Sequence, residues 1–190
     1  MKRNNFASNG LLSLIGGTPL IELKNISPSK DIRIFAKLEG QNPSGSIKDR
    51  ITLGLVSIAA EKGNLKPGDT IVEATSGNTG ISLAMIAKQL GYRVQVMIPK
   101  EVPVTIKDVL KLFGANITWC SPSVGMKGAI DLAQQMADDK GYYPLRQFED
   151  SSNVDTHYNT TGAEIVNDLD HIDVFVSGIG NPAWMVPEAH

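Results

Sequence analysis

Cysteine is nearly absent from the sequence, which has 190 residues and a single thiol, Cys120. One cysteine excludes an internal disulfide framework and a cysteine-rich zinc site, and it fits a reducing, cytoplasmic setting. At the end of a predicted strand, Cys120 is expected to be a core residue. No metal site is predicted, because His157 has no companion at metal-ligand spacing and His171 and His190 are expected on the surface.

Long apolar runs and clusters of like charge are also missing. No uninterrupted apolar stretch approaches membrane-spanning length, and residues 11–15 are too short for a signal-peptide core. The formal net charge of -2 argues against a nucleic-acid or anionic-membrane surface. Neither the three-glycine dinucleotide fingerprint nor a Gly-Lys-Ser/Thr phosphate loop occurs. The expected partners are therefore small molecules or proteins, and neither nucleic acid nor membrane.

Strand and helix patterns alternate regularly through the middle of the chain. They predict strands at 70–74, 93–98 and 116–120 and helices at 81–90, 106–113 and 126–136. This alternation favours βαβ units and a parallel sheet. The flanking patterns predict a hairpin or neighbouring strand pair from 20–23 and 32–38 and a turn-rich crossing at 144–155. They also predict a helix over 155–169 and a buried strand over 172–178.

A loop rich in Pro, Gly and Ser turns into a helix at Lys48. The free N–H groups and the dipole of a helix N-terminus disfavour a charged ammonium, so this lysine should lose its proton more easily. A neutral amine is what Schiff-base chemistry requires. The ordinary alternative is a helix capped by Ser46 and supported by Asp49, with Lys48 as a surface lysine.

A second stretch, Glu73-Ala74-Thr75-Ser76-Gly77-Asn78-Thr79-Gly80, joins a strand to a helix start. Ligands bind at the carboxyl ends of parallel strands, and free helix N–H groups beside three hydroxyls form a seat for a carboxylate or phosphate. The alternative is an Asn-Gly-type turn with a threonine cap.

Together, the Asn-Pro-Ser-Gly-Ser-Ile-Lys-Asp-Arg and Glu-Ala-Thr-Ser-Gly-Asn-Thr-Gly segments closely resemble the cysteine synthase (O-acetylserine sulfhydrylase) and cystathionine β-synthase family of pyridoxal-phosphate enzymes. The resemblance runs over roughly residues 10 to 180. Its further blocks are Leu14 to Leu20, Leu112 to Ala115, Gln147 to Glu149, His157 to Gly162 and Val176 to Gly180.

The resemblance implies an α/β fold, a parallel-sheet three-layer sandwich of the fold-type II (tryptophan synthase β-like) kind, with the larger domain truncated. Residues 35–145 would form the smaller domain. Residues 11–34 and 146–190 would form part of the larger, cofactor-phosphate domain.

Site residues also follow from the resemblance. Lys48 would form the Schiff base with pyridoxal phosphate and carry the substrate α-proton, while Asn78 would hydrogen-bond the cofactor ring and Gly178 and Gly180 would belong to the phosphate site. The substrate carboxylate would be bound by Thr75, Ser76, Gly77, Thr79 and Gln147. The implied reaction is β-replacement, in which O-acetylserine or a related β-substituted serine reacts with sulfide to give cysteine.

Beyond Gly180 the sequence departs from the family, which continues with threonine, two glycines and threonine. Here Asn181-Pro182-Ala183-Trp184 follows, and Pro182 has no N–H to offer a phosphate. We therefore expect weak binding of cofactor and little turnover by this 190-residue form. The alternative function is a catalytically inactive truncated paralogue that acts as a binding or assembly partner. In either case we expect a homodimer or association through an exposed sheet edge.

Overall fold

The computed structural model describes residues 10–100, 102–121, 123, 125–147 and 150–178. A short antiparallel hairpin, β1 (Leu20–Glu22) and β2 (Phe35–Lys37), precedes the main sheet, with Leu20 opposite Lys37. This pairing confirms the predicted hairpin, although both strands are shorter than the sequence pattern.

The main sheet has four parallel strands in the order β5-β4-β3-β6. Its strands are β3 (Thr70–Ala74), β4 (Arg93–Pro99), β5 (Asn116–Cys120) and β6 (Tyr143–Pro144). The connecting helices are α1 (Lys48–Glu61), α2 (Asn78–Leu90), α3 (Val104–Leu112) and α4 (Gly125–Lys140). The predicted alternation and the α/β fold class are confirmed. Because α2 begins at Asn78, both Asn78 and Thr79 lie in its first turn.

Helices cover both faces of this sheet. Ile71, Val96 and Leu83 belong to a core shared with α1, α2 and α3, whereas Val72 and Met97 pack on the alanines of α4. Alternate residues of β3 and β4 thus enter opposite cores, which explains why the strands read as continuous apolar runs. Cys120 is buried on the α4 side, as predicted for a core residue, and burial raises the pKa of its thiol.

A helical run follows the sheet and packs on α1. It consists of α5 (Ser152–His157), a π-helical turn (Tyr158–Gly162) and α6 (Ala163–Asp168). The approach to α1 is close at Gly54, where an added Cβ would overlap the side chain of Thr156. The residue type at Gly54 is therefore dictated by helix packing.

The predicted buried strand over 172–178 is wrong. These residues have no strand assignment, and Val174 and Val176 are 75% and 86% exposed. An extended segment becomes a strand only when a neighbour takes its backbone hydrogen bonds, and within the described residues none does so here. The β-branched residues favour extended backbone, but no described strand pairs with this segment. The division into domains at 34/35 and 145/146 stays a prediction.

Within the described parts of the chain, no helix is both long enough and apolar enough to cross a lipid bilayer.

Candidate active site

Lys48 is the first residue of α1, where its backbone N–H donates to Ser46 Oγ at 3.2 Å. The Lys48 side chain is half-buried, and burial lowers the pKa of its amine. The direction agrees with the prediction, but the cause is loss of solvation. Among the described residues, no hydrogen bond or ion pair engages the Lys48 amine. It is thus available for reaction.

Asp49 holds the Lys48 loop in place from inside the protein. Its fully buried carboxylate accepts hydrogen bonds from the Ser44 N–H at 2.7 Å, from the Ser44 hydroxyl and from the Ser82 hydroxyl of α2. Since Ser82 lies one turn after Asn78, these bonds bring the start of α1 beside the first turns of α2. The predicted supporting role of Asp49 is therefore larger than that of an ordinary first-turn carboxylate.

The N-terminus of α2 is shaped by a buried threonine. Thr75 Oγ1 accepts the Gly77 N–H at 3.1 Å, and a Cβ on Gly80 would lie only 2.7 Å from Thr75 Cγ2. Ser76 and Asn78 are exposed on this turn. The result is a helix start that presents hydroxyl, amide and backbone N–H groups, which is a suitable seat for an anion.

Thr79 and Gln147 lie far apart in sequence, and the fold brings them together. The Thr79 hydroxyl donates to Gln147 Oε1 at 2.7 Å, and Gln147 Nε2 donates to Glu73 Oε1 at 3.0 Å. The backbone N–H of Arg146 donates to Glu73 Oε2 at 3.1 Å. All three side chains in this chain of bonds are buried. Gln147, which follows β6, thus contacts the first turn of α2 through Thr79.

An ion cluster centred on the buried Arg50 side chain lies beside this site and was missed by sequence reasoning. The Arg50 guanidinium, 1% exposed, makes paired hydrogen bonds of 2.6–2.8 Å to Glu39 and to Glu164. Lys37 also contacts Glu164, at 2.7 Å, and Thr18 donates to Glu39 at 2.6 Å. The cluster ties the Gly-Gly-Thr-Pro turn, α1 and α6 together. Arg50, the last residue of the lysine segment, was the only local signal, and it did not indicate the partners.

His157 lies near the lysine and is buried. Its Nδ1 is 3.0 Å from Thr161 Oγ1, and its pKa is lowered to about 4 by burial and then by the positive charges of Lys48 and Arg50. The imidazole is therefore neutral at pH 7 and adds no charge to the lysine environment.

Of the two glycines predicted for the phosphate site, only Gly178 lies within the described residues. Gly178 is exposed, and Gly180 lies outside the described residues.

Comparison with known proteins identifies the family. A model of the pyridoxal-phosphate dependent enzymes matches residues 11–183. The chain belongs to this family. Cysteine synthase of Staphylococcus aureus is 40% identical over 174 residues, which is 90% of this chain and 56% of that protein. The chain thus spans little more than half the length of this relative.

Two solved structures of family members share the fold. O-ureido-L-serine synthase has a TM-score of 0.82 at 39% identity, covering 84% of this chain and 50% of its own. Cysteine synthase of Entamoeba histolytica has a TM-score of 0.79 at 39% identity, covering 85% and 49%. These likenesses support the fold-type II assignment for the described part of the chain.

The residues present fit pyridoxal phosphate as the cofactor of the family. A half-buried amine with a lowered pKa suits condensation with an aldehyde, and Asn78 offers an amide at the neighbouring helix start. The donor set of hydroxyls and helix N–H groups suits a carboxylate. The fit to the cofactor and substrate therefore rests on Lys48 and on the donor groups at the start of α2.

Proposed function

We propose that the chain acts in cysteine synthase-like β-replacement, in which an amino acid with a leaving group on its β-carbon reacts with sulfide to give cysteine. The observation that carries the proposal is the Lys48 amine, which is half-buried and has a lowered pKa. Asp49 binds Ser44 and Ser82 and so holds the start of α1, where Lys48 lies, beside the first turns of α2. O-acetylserine is the proposed substrate. Relatives named cysteine synthase support cysteine as the product, and the resemblance of the two site motifs to the O-acetylserine sulfhydrylase family supports this substrate.

Lys48 would hold pyridoxal phosphate, and Asn78 would orient its ring, with Gly178 and Gly180 on the phosphate side. When bound, the cofactor supplies an electron sink for negative charge at the substrate α-carbon. The Lys48 amine can accept the proton from that carbon and return it, because burial favours its neutral form.

The substrate carboxylate would be bound at the start of α2, by Thr75, Ser76, Gly77, Thr79 and Gln147. Free N–H groups at the first turn and the positive end of the helix dipole both favour an anion here.

We also propose that residues 35–145 act as the smaller domain, moving against 11–34 and 146–190. Self-association of the chain in a cytoplasmic setting is the proposed assembly. The exposed apolar side chains of Val174 and Val176 support an association surface.

The test is titration of the 190-residue chain with pyridoxal phosphate. We expect a visible absorption band at excess cofactor that borohydride fixes on Lys48, as located by peptide mass spectrometry. Lys48→Ala should abolish the band, whereas Lys62→Ala, at the exposed C-terminus of the same helix, should keep it. A band that survives in Lys48→Ala contradicts the proposed role of the lysine.

Cysteine formation from O-acetylserine and sulfide is then measured with the same three proteins. We expect slow turnover, because Asn181 to Trp184 lack the paired glycines of the family's phosphate loop. Turnover should nevertheless be detected in wild type and Lys62→Ala, which show the absorption band, and be absent in Lys48→Ala, which lacks it. Turnover that is equal in Lys48→Ala and wild type contradicts the proposal.

A further inference from the structure

We propose that Glu73 is a positioning residue of the carboxylate site: its buried side chain holds the Gln147 amide in one of its two orientations, with Nε2 toward Glu73 and Oε1 toward Thr79. The inference rests on the proposed function, because the ligand that this amide would bind is the carboxylate of an amino-acid substrate.

The orientation follows from which groups can donate. A carboxylate accepts hydrogen bonds, so Glu73 Oε1 selects the NH2 end of the Gln147 amide, at 3.0 Å. The opposite end is then an acceptor, and the Thr79 hydroxyl donates to it at 2.7 Å. Glu73, Thr79 and Gln147 are only 5%, 4% and 3% exposed, so water does not compete for these bonds.

One hydrogen of the Gln147 amide is left over. Nε2 carries two hydrogens, and Glu73 takes one of them. Within the described residues, no acceptor takes the second hydrogen. An amide N–H that is buried and unused is a donor for a ligand, and a carboxylate at the nearby α2 start is the anion for which that region is suited.

The backbone around Gln147 is built to keep this arrangement. Arg146 has φ = 54°, in the left-handed region that non-glycine residues seldom adopt, and its N–H donates to Glu73 Oε2. On the other side, Asn153 Nδ2 donates to the Gln147 carbonyl at 3.0 Å. An unfavourable conformation persists when surrounding bonds over-determine it, and such positions cluster at functional sites.

Glu73→Gln tests the positioning directly, because it keeps the shape and changes the donor pattern. A glutamine at position 73 can donate as well as accept, so the Gln147 amide is free to turn and to present its oxygen to the ligand. Loss of one hydrogen bond to a charged ligand should weaken carboxylate binding roughly ten- to hundredfold.

The first readout needs no cofactor. In the nitrogen-15 NMR spectrum, the side-chain amide pair of Gln147, assigned by its disappearance in Gln147→Glu, should show one hydrogen shifted downfield and protected from exchange. Glu73→Gln should remove this asymmetry. The exposed side-chain amide of Asn159, which donates to the Asp155 carbonyl at 2.7 Å, is the internal control and should not change.

The second readout compares two probes on the cofactor-loaded chain. L-serine carries the carboxylate, and ethanolamine is the same amine without it. Glu73→Gln should weaken the spectral response to L-serine at least tenfold and leave that to ethanolamine within about twofold.

A swapped pair separates folding from positioning. Glu73→Gln combined with Gln147→Glu restores a donor and an acceptor between positions 73 and 147 but places a negative charge at the ligand site. We expect unfolding stability close to wild type and no recovery of L-serine binding.

Each outcome decides the matter. Unchanged Gln147 resonances and L-serine affinity in folded Glu73→Gln overturn the proposal, as does an equal loss for both probes. If wild type does not respond to L-serine, the proposed function fails and the NMR result alone decides whether Glu73 positions Gln147. If Glu73→Gln does not fold, a scalar coupling across the hydrogen bond from Gln147 Nε2 to the Glu73 carboxyl group in wild type is expected, and its absence overturns the proposal.

Discussion

Replacing Glu164 by glutamine tests how much the Arg50 ion cluster contributes to the fold. Glu164 lies on α6 and receives hydrogen bonds from Arg50, Lys37 and the Gly17 N–H. Glutamine has nearly the same shape but no charge, so Arg50 would keep Glu39 as its remaining carboxylate partner. The variant should therefore loosen the attachment of α6 to the rest of the molecule.

The magnitude follows from the ionisation of Glu164. Burial raises the pKa of this carboxyl group, but the hydrogen bonds from Arg50, Lys37 and Gly17 outweigh burial and hold the pKa at about 2, against an ordinary 4.5. This difference corresponds to about 3 kcal/mol of folding stability at neutral pH. Because folding lowers the pKa, the contribution is complete above the ordinary value and is lost as the pH falls toward 2. About 2 kcal/mol should remain near pH 3.5.

The assay is urea unfolding followed by circular dichroism at pH 7 and at about pH 3.5. Glu164→Gln should lower the free energy of unfolding by about 3 kcal/mol at pH 7 and by about 1 kcal/mol less at the acidic pH. Glu22→Gln is the matched control, because Glu22 pairs with Arg33, whose side chain is 66% exposed, whereas that of Arg50 is 1% exposed. It should have little effect at either pH. A loss that equals the control, or one that does not change with pH, would refute the reasoning.

Two further predictions concern backbone and packing. Gly54→Ala should lower the free energy of unfolding by about 1–3 kcal/mol, because the added Cβ would overlap Thr156. Gly40→Ala is the control and should change it little, because the nearest atom to its added Cβ is 3.9 Å away. Equal effects of the two substitutions in thermal denaturation would contradict this packing argument. The free energy of unfolding in urea should be about 0.5–1 kcal/mol higher for Arg146→Gly than for Arg146→Ala. Both substitutions remove the arginine side chain, but only alanine keeps a Cβ at φ = 54°. A more stable alanine variant would show that this conformation is not strained.

Much of the fold and part of the candidate site could be predicted from local patterns. The alternation of strands and helices, the helix start at Lys48 and the hydroxyl-rich start of α2 all depend on residues close together in sequence. Periodicity, capping residues and glycines act over one or two turns, so they can be recognised without knowledge of the rest of the chain.

The partners of buried charges could not be predicted in this way. Arg50 and Glu164 are 114 positions apart, and Glu73 and Gln147 are 74 apart. Each is an ordinary polar residue in its local context. Only the packing of α6 on α1, and the return of the chain to β6 beside β3, bring them within hydrogen-bond distance.

The segment 172–178 also shows that local sequence does not determine tertiary contacts, because here a predicted strand does not form. Its composition determined a preference for extended backbone, but a strand also needs a neighbour whose backbone groups complete the ladder. Burial of Lys48 is likewise a tertiary effect, and it is burial that lowers the pKa of the amine. The sequence by itself determined the local elements, because short-range sterics and hydrogen bonds specify them. The tertiary structure alone decided which side chains lose water and which charges meet, because both depend on contacts between distant parts of the chain.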